Sequence, residues 1–449
     1  MIRSFVRDAN KTIVLFLFGG NGGGGGSAVP AWVTYILGAG GTIENQAEQQ
    51  RVIDLQAGAT FVMAAGSYYT GRLPVQIPAD GTADFLSVDR ATENSRITTG
   101  NELTVLADHV PPVTHYGGHP AINIETFSIN LASTSEGMVG TNSGLTLAAY
   151  AGWGSIGFDN AIRYDGVAST SSYAITGAQI TAGNTHTCST FIRLDDLSTP
   201  VVGSGTLAAN VDIYLELGAS AEVPDSIKLE PYADNVWRVE ATWLSPSNTG
   251  LMTIKTGTTG VNGSGKPWRI TAQQCEDLDY ASAYNKTVGA SSSRLQTTIT
   301  NGGSAASLPS TAGTMFLKCS NYSLTGAAKT IVINDGTSSN EISFAYRGSS
   351  FPTQIRLQYT IGGTLVARYS FITTITNRDV FAFSWEVGQL KWYLNGALVN
   401  TFTNASVVVP PSNTFDNVTM PGFYVAAESL AFHPTVLTDA QITTISNAL

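Results

Sequence analysis

Three glutamates in the last third of the chain are the first residues to examine for chemistry. Hydrolysis of a glycosidic bond needs two carboxyl groups that face each other across the bond, about 5–5.5 Å apart when the configuration is retained. Two acidic residues separated by one residue on a strand lie on the same face and could form such a pair. Glu341, Glu386 and Glu428 each stand alone among apolar or small neighbours. We therefore expect no catalytic residue among them and predict that the chain is not an enzyme.

A second group of polar side chains lies in the stretch DHVPPVTHYGGHP and is a candidate metal site. It contains Asp108, His109, His115 and His119. The Pro-Pro and Gly-Gly pairs predict a loop, and the spacing matches no common zinc pattern. The oxygen-rich stretch 332–341 lacks the spacing of a calcium loop and predicts a turn, while His186 and His433 are isolated. We predict no metal site and no cofactor.

Composition narrows the class of protein. The chain has 449 residues, which predicts more than one domain. Charged residues make up only 12% and the formal net charge is −10. Because nucleic acid requires clustered Lys and Arg, and no basic run occurs, we expect no nucleic-acid partner. No apolar stretch reaches the roughly 18 residues of a membrane-spanning helix, so we expect no membrane insertion.

The three cysteines are widely spaced and odd in number. They are Cys188, Cys275 and Cys319. This pattern argues against a disulfide framework and favours small buried hydrophobic residues. Cys319 continues an inward-facing set with Met315 and Leu317.

The first 28 residues combine a short apolar run with a glycine tract. The run Ile13, Val14, Leu15, Phe16, Leu17 and Phe18 is shorter than the apolar region of a signal peptide, although positive charge precedes it. It is rich in β-branched and aromatic residues, and the tract at 19–28 is typical of a flexible linker. We predict that 1–28 is an anchoring strand and its linker, which dock on a partner protein.

Period-two alternation divides the rest into three blocks, 29–145, 146–300 and 301–449. The first block is mixed but mainly β, with one helix in 42–55 and strands near 59–64, 73–77 and 103–107. The second contains strands such as VDIYLEL and WRVEATW, whose alternate residues are apolar. Alternation of this kind predicts antiparallel sheets packed on one face. The fold class predicted is therefore all-β, with two tandem β-sandwiches after an extended N-terminal region.

The last block repeats the alternation and ends differently. Asn395-Gly396, between the alternating runs QLKWYL and ALVNTF, predicts a two-residue hairpin turn, and Trp385 and Trp392 are predicted core residues. Thr438 with Gln441 forms a capping box, and Ile442, Ile445 and Leu449 fall on one helical face. One short C-terminal helix is expected.

Three stretches resemble virion proteins of tailed bacteriophages. Residues 85–136 are similar to a segment of phage fibre and head-spike proteins. The matching elements are Arg90-Ala91-Thr92, a strand in 101–111, Ile124-Glu125, Asn130-Leu131 and Ser135-Glu136. Ile129 departs from the usual Thr, and the aromatic residue expected after Glu136 is missing.

The other two resemblances concern the sandwiches. HTCSTFIRL, NVWRVEATW and WRITAQQCEDLDYASAYNKT resemble a carbohydrate-binding-type jelly roll (146–300). FAFSWEVGQLKWYLNGALVNTF and the LTDAQITTI ending resemble a concanavalin- or laminin-G-like sandwich (301–449). Hydrolases of the latter fold carry a Glu-x-Asp-x-x-Glu-type run, which 301–449 lacks.

These resemblances imply a non-enzymatic structural protein on the surface of a phage particle, such as a fibre, spike or decoration protein. Its implied partners are other capsid or tail proteins, a host surface glycan, and copies of itself, with a trimer as the expected oligomer. The alternatives are a decoration protein without a ligand, a polysaccharide depolymerase, and a secreted adhesin outside any virion. The sequence identifies no ligand-binding residue.

Overall fold

The structure is a computed structural model that describes residues 29–449 with gaps. The gaps are 69–71, 78–81, 90–93, 98–102, 107–112, 117–118, 125–127, 133–134, 137–144, 150–157, 159, 166–171, 204–210, 218–221, 245, 247–249, 256, 259–260, 263, 289, 295–297, 321–328, 347–353, 373–377, 406 and 421–424. The apolar run Ile13–Phe18 and its glycine tract lie outside the described residues, so their anchoring role stays a prediction.

The described residues form mainly β-strands. The first part contains α1 (Ala31–Gly38), β1 (Thr42–Ile43), α2 (Gln46–Leu55), β2 (Phe61–Ala64), β3 (Ser67–Tyr68), β4 (Arg72–Ile77), β5 (Thr82–Asp89), β6 (Asn94–Ile97), β7 (Leu103–Leu106), β8 (Val113–Tyr116), β9 (His119–Ile124) and β10 (Ser128–Asn130). The middle part contains β11 (Leu145–Ala149), β12 (Asn160–Tyr164), β13 (Ser172–Ile180), β14 (His186–Leu194), β15 (Val202–Gly203), β16 (Ile213–Leu217), β17 (Ser226–Pro231), β18 (Trp237–Trp243), β19 (Gly250–Lys255), β20 (Gly257–Thr258), β21 (Val261–Asn262), β22 (Trp268–Glu276), β23 (Ser292–Arg294) and β24 (Thr298–Gly302). The last part contains β25 (Gly313–Ser320), β26 (Lys329–Asn334), β27 (Glu341–Tyr346), β28 (Gln354–Ile361), β29 (Thr364–Ile372), β30 (Asp379–Glu386), β31 (Gln389–Leu394), β32 (Ala397–Thr403), β33 (Asn417–Met420), β34 (Val425–His433) and α3 (Asp439–Ala448). The predicted all-β class is confirmed.

One large sheet contains strands from both ends of the chain. Its path runs β29-β28-β27-β26-β33-β24-β5-β4-β2-β34-β25-β30-β31-β32, and β9 joins it by pairing with β34. Phe61 of β2 lies opposite Phe432 of β34, and Val88 of β5 lies opposite Ile299 of β24. Strands of the 29–145 block are thus hydrogen-bonded within the sheet of the 301–449 block. The boundaries drawn from the sequence stay a prediction.

The two ends of this sheet fold over a common core. Phe344 of β27 packs edge-on against Phe381 of β30, with ring centroids 5.6 Å apart, and Tyr359 of β28 lies 5.9 Å from Phe383. These strands lie at opposite ends of the path, so the sheet forms two packed layers. Trp385 and Trp392 are both buried in this core, as predicted. Neither ring is open for stacking on a sugar.

The Asn395-Gly396 turn joins β31 to β32 and touches the C-terminal helix. Both residues have positive φ (50° and 78°), as the predicted two-residue turn requires. The Asn395 side chain accepts a hydrogen bond from Val380 N (2.8 Å) and donates one to Asp379 Oδ1 (2.8 Å). Thr443 Oγ1 of α3 donates to Gly396 O (2.7 Å). The turn therefore connects the sheet to the helix.

The C-terminal helix α3 has the predicted capping box. Gln441 N donates to Thr438 Oγ1 (3.3 Å), and Thr438 N donates to Gln441 Oε1 (2.9 Å). Ile442 is buried, and Ile445 and Leu449 pack partly buried beside it. Capping fixes where the helix starts, and burial of one face holds it on the sheet.

Two further helices cover the outside of the sheet near β2. Helix α2 was predicted, and it buries Val52 and Ile53. Helix α1 was not predicted, because AWVTYILG has no polar N-cap residue and its apolar residues are not confined to one face. Trp32 and Ile36 of α1 pack in the same small cluster as Val52 and Ile53.

The middle block has two facing sheets around a second core. A six-stranded sheet has the order β11-β12-β22-β14-β18-β17, and a four-stranded sheet has the order β13-β19-β16-β15. Ile192, Val239 and Trp268 of the first sheet share a cluster with Ile213 and Ile254 of the second. The alternation read from the sequence places the correct residues in this core.

The prediction of no disulfide is wrong. Cys188 and Cys275 are directly opposite each other on β14 and β22, and they form a disulfide across 87 residues. Wide sequence spacing did not reveal this pairing, because neighbouring strands of a sheet need not be neighbours in sequence. Cys319 is a buried thiol outside this disulfide, as expected.

In the part of the chain that the structure describes, no helix is long and apolar enough to cross a membrane.

Replacing Gly396 with Ala should destabilise the protein more than replacing Gly388 with Ala. Both glycines have positive φ (78° and 83°), so each substitution should cost about 1–2 kcal/mol in backbone strain. A Cβ at Gly396 would lie 3.1 Å from Thr443 Cα, whereas a Cβ at Gly388 meets no atom within 4 Å. We expect a further loss of roughly 1 kcal/mol for Gly396→Ala, from the crowding of α3. Urea unfolding measures both losses, and equal losses would show that the contact with α3 contributes nothing.

Candidate functional site

The candidate site is the outer face of the six-stranded sheet of the middle block. On β18, Val239 and Ala241 point into the core, so Arg238, Glu240 and Thr242 point outward, as the sequence predicted. These three outward-pointing side chains are nevertheless buried or nearly so. Residues 277–288, which we call the closing loop, lie over part of the face.

Glu276 holds the start of the closing loop on the sheet. Its carboxylate accepts hydrogen bonds from Ser282 N (2.9 Å), Ser282 Oγ and Gln274 Nε2 (2.7 Å). Gln274 Oε1 also accepts from Asn285 N (2.7 Å). Both side chains are buried, so removing either partner would leave buried polar atoms without hydrogen bonds.

The segment 128–136 holds the other end of the closing loop. Asn130 Nδ2 donates to Asn285 O (2.7 Å), and Asn130 Oδ1 accepts from Cys275 N (3.1 Å). The buried Glu136 carboxylate accepts from Tyr284 Oη (2.9 Å) and lies 3.1 Å from Lys286 Nζ. Residues that carried the sequence resemblance, Asn130 and Glu136, therefore fasten the loop that closes the jelly roll. Sequence reasoning identified both stretches but not their contact.

Aromatic residues of this face form a small buried cluster. Phe191 packs edge-on against Tyr232 (5.2 Å between centroids) and Tyr284 (6.2 Å), and Phe158 lies 6.1 Å away. Phe191, Tyr232 and Tyr284 are all less than one-tenth exposed. This cluster attaches the closing loop to the sheet and leaves no ring face open to a ligand.

The part of the face beside the closing loop carries four charged side chains, which we call the charged ladder. They are Lys228, Glu230, Arg238 and Glu240, on the edge strand β17 and its neighbour β18. Lys228 Nζ lies 3.9 Å from both Glu230 Oε1 and Glu240 Oε2, and Arg238 Nε lies 3.8 Å from Glu240 Oε1. The Lys228 side chain is 39% exposed, Glu230 14% and Glu240 10%, so the ladder runs from solvent into the sheet.

Glu240 is the more buried of the two carboxylates in the charged ladder. Arg238 is committed elsewhere, since its Nη2 donates to Ser189 Oγ (3.0 Å) and Ser282 O (2.6 Å). The Glu240 carboxylate accepts no hydrogen bond from any described residue, and its ion-pair distances are long. Burial raises the pKa of Glu240, while Lys228 and Arg238 oppose this shift. Carboxylate and ammonium groups at a strand edge can hydrogen-bond to hydroxyl groups of a ligand.

The three glutamates of the last block are not assembled into one site. Glu428 of β34 is paired with Lys318 (3.4 Å) and with Arg378, and all three charges form one cluster. Glu341 is buried at the start of β27 and accepts from Ser343 Oγ (3.3 Å), while Glu386 ends β30 opposite Gln389. The ion pairs of Glu428 were not visible in the sequence, because its partners are 50 and more residues away.

The candidate metal ligands fall partly outside the described residues. Asp108 and His109 are not described, His115 lies on β8, and His119 begins β9. Among the described residues, no group of three or more His, Cys, Asp or Glu side chains could hold a metal ion. Within the stretch 332–341, residues 335–340 form a turn, as predicted, and the remaining residues belong to β26 and β27. The Asp335 carboxylate accepts from Thr337 N (3.0 Å) and Asn340 Nδ2 (2.7 Å).

The two isolated histidines have structural contacts. His186 Nε2 accepts a hydrogen bond from Thr181 N (3.0 Å), and its Nδ1 lies 2.7 Å from Asp277 Oδ1. His433 is buried with its Nε2 2.7 Å from Gln56 Oε1, and burial lowers its pKa to about 4. His433 is therefore neutral near pH 7 and fixes α2 to β34.

No protein-family model matches the chain, and no curated protein matches it. Among solved structures, it is similar to the CBM40 of the Ruminococcus gnavus IT-sialidase bound to alpha2,3 sialyllactose, with 14% identity and a TM-score of 0.26 over 31% of this chain and 84% of that chain. It is also similar to domain 4 of AbnA, a GH43 extracellular arabinanase from Geobacillus stearothermophilus, in complex with arabinotriose, with 18% identity and a TM-score of 0.28 over 37% of this chain and 81% of that chain. A heptameric SAP-like pentraxin from Limulus polyphemus is similar at 11% identity and a TM-score of 0.26, over 33% of this chain and 75% of that chain. At these identities and TM-scores, the similarities carry no argument about function.

Replacing Glu428 with Gln should destabilise the protein by about 3–5 kcal/mol, because Lys318 would remain buried without its counter-charge. The double variant Lys318→Met, Glu428→Leu should lose much less, since it removes both buried charges, and Arg378 at 33% exposure can reach water. Chemical denaturation of the three proteins tests this. A double variant as unstable as the single one would show that the loss does not come from the unpaired lysine.

Proposed function

We propose that this chain is a non-enzymatic protein of the surface of a tailed phage particle, and that it binds glycans through the charged ladder. The binding proposal rests on the Glu240 carboxylate. It lies 3.9 Å from Lys228 Nζ and accepts no hydrogen bond from any described residue, so it can still accept hydrogen bonds from a ligand. Sugar hydroxyls both donate and accept, so a carboxylate beside an ammonium group suits them. The ladder also lies on an edge strand, where an extended ligand has access.

The virion assignment is supported by the sequence resemblance and by the packing of its residues. Asn130 and Glu136 of the first resembling stretch bond to Asn285 and Lys286 of the second. The two stretches therefore fold as one unit, in the order that the phage fibre and head-spike proteins have. The partners proposed are other virion proteins, held through Ile13–Phe18, and further copies of this chain in a trimer.

The absence of catalysis is supported by the positions of the carboxylates. Glu428 is neutralised by two cations, and Lys228 lies between Glu230 and Glu240. A hydrolase needs one carboxyl group as acid and another as base or nucleophile, and binding alone lowers no barrier. A decoration protein without a ligand is the second candidate, because the closing loop covers part of the outer face.

The binding proposal is tested with the full chain and host surface polysaccharide. We expect weak, reversible binding without release of reducing ends, and a several-fold loss of affinity for Glu240→Gln. A hydrogen bond to a charged group contributes about 1 kcal/mol more than one to the neutral amide that replaces it. Glu386→Gln is the matched control, which should bind like the parent protein. Weak single-site binding would suffice, because a particle displays many copies.

Two outcomes would contradict the proposal. New reducing ends that disappear in Glu386→Gln or Glu428→Gln would favour the depolymerase. Neither binding nor cleavage of any host polysaccharide would favour the decoration protein.

The virion proposal is tested by deleting residues 1–28. The truncated protein should keep its thermal unfolding profile, because the proposal gives the apolar run no contact with the rest of this chain. It should no longer co-purify with particles, because the run that binds the partner protein has been removed. Immunolabelling of particles with an antibody against residues 301–449 gives the second readout. Co-purification of the truncated protein at the level of the parent protein would refute the anchoring role.

A further inference from the structure

Three arginines lie side by side across three neighbouring strands of the six-stranded sheet. Arg163 of β12 is directly opposite Arg269 of β22, and Arg269 is directly opposite Arg193 of β14. Their sequence neighbours Ile162, Ile192 and Ile270 belong to the sandwich core. Alternation along each strand therefore places all three arginines on the outer face. We call this set the arginine row.

The arginine row carries more positive charge than its neighbours neutralise. Like charges directly opposite each other on neighbouring strands destabilise a sheet. Arg163 pairs with Asp165 (3.0 Å) and lies 3.7 Å from Asp195, which is also 3.6 Å from Arg269. The Arg193 guanidinium makes no ion pair with a carboxylate of any described residue. Among the described residues, two carboxylates thus face three guanidinium groups.

The hydrogen bonds of the row are also incomplete. The Nε atoms of Arg163 and Arg269 are buried and have no hydrogen-bond partner among the described residues. The side chains themselves remain accessible, at 38% for Arg163 and 34% for Arg269. At the same end of the sheet Lys266, 39% exposed, pairs with Asp196 (3.2 Å). This end of the face therefore presents donors and positive charge to solvent, although the chain as a whole has a net charge of −10.

We propose that the arginine row binds the anionic groups of an acidic polysaccharide. This inference rests on the proposed glycan-binding function and adds the ligand class and a second part of the surface. Guanidinium groups bind carboxylate, sulfate and phosphate oxygens in a bidentate manner, which lysine cannot do. Strands in a sheet are about 4.8 Å apart, so the row offers a short line of such groups to successive anionic sugars or to one branched acidic unit.

Nucleic acid fits this surface less well than an acidic glycan. Binding to a phosphate backbone draws on many clustered cations along an extended track. Here the cations span only three strands, and Asp165, Asp195 and Asp196 lie among them. A phosphate backbone would meet these carboxylates, whereas a glycan can donate hydroxyl hydrogen bonds to them.

The test uses the full chain with polygalacturonate as the carboxylate probe, dextran sulfate as the sulfate probe, and fully methyl-esterified polygalacturonate as the uncharged control. We expect at least one of the two acidic polymers to bind, with an affinity that falls as salt is raised, and the esterified polymer to bind at least tenfold more weakly. Arg193→Gln should weaken binding of the acidic polymer several-fold, and the double variant Arg193→Gln, Arg269→Gln should abolish most of it. Arg368→Gln, which removes an exposed arginine of β29, is the matched control and should bind like the parent protein.

Several results would overturn the inference. One is that the protein binds neither acidic polymer, and another is that it binds the esterified polymer as tightly as the acidic ones. A third is that the double variant binds the acidic polymer as tightly as the parent protein does. The last is that single-stranded DNA displaces the acidic polymer when both are present at the same concentration. Circular dichroism of each variant checks that it is folded.

If Glu240→Gln weakens binding of a neutral host polysaccharide while the arginine variants do not affect any ligand, the proposed function stands and this inference fails. If the arginine variants alone lose binding, the row is the binding site and the charged ladder is not.

Discussion

Pairing of β34 with strands from distant parts of the chain is the constraint on which the large sandwich depends. β34 has β2 on one side and β25 on the other, and β9 also pairs with it. Phe61 packs edge-on against Phe432 across this pairing, with centroids 5.4 Å apart. The entropy cost of closing a loop grows only with the logarithm of the loop length. Joining β2 to β34 across most of the chain therefore costs little more than closing a shorter loop. Burial of the shared core can therefore hold together the two ends of the chain.

The six-stranded sheet of the middle block differs from the large sheet, because part of its outer face is covered as well as its inner face. The inner face packs on the opposing sheet, while the closing loop, Tyr232 and Tyr284 cover the centre of the outer face. Arg238 Nη2 and Gln274 Nε2 donate hydrogen bonds to Ser282 O of the closing loop, and the Glu276 carboxylate accepts one from Ser282 N. These polar atoms therefore gain protein partners where they lose water. The two margins of the outer face, the charged ladder and the arginine row, keep partly exposed charged groups.

The proposed function implies weak binding at both margins. Each margin offers a few hydrogen-bonding groups, and the described aromatic rings Phe191, Tyr232 and Tyr284 of the same face are buried. Affinity of a single copy would then be modest, and a display of many copies would raise the effective affinity without any new contact. Charged residues make up only 12% of the chain, so a charged ligand meets few other charged groups that could bind it in place of the charged ladder or the arginine row.

The sequence by itself determined the local structure and which residues are buried together. Alternation in VDIYLEL and WRVEATW placed Ile213 and Val239 in the core, Asn395-Gly396 specified its turn, and Thr438 with Gln441 specified the start of α3. These features depend on residues within a few positions of each other. The disulfide between Cys188 and Cys275, the cations around Glu428 and the alignment of Arg163, Arg193 and Arg269 depend instead on which strands are neighbours and in what register. A shift of one residue would turn each arginine into the core, and only the combined packing of many distant side chains excludes that shift.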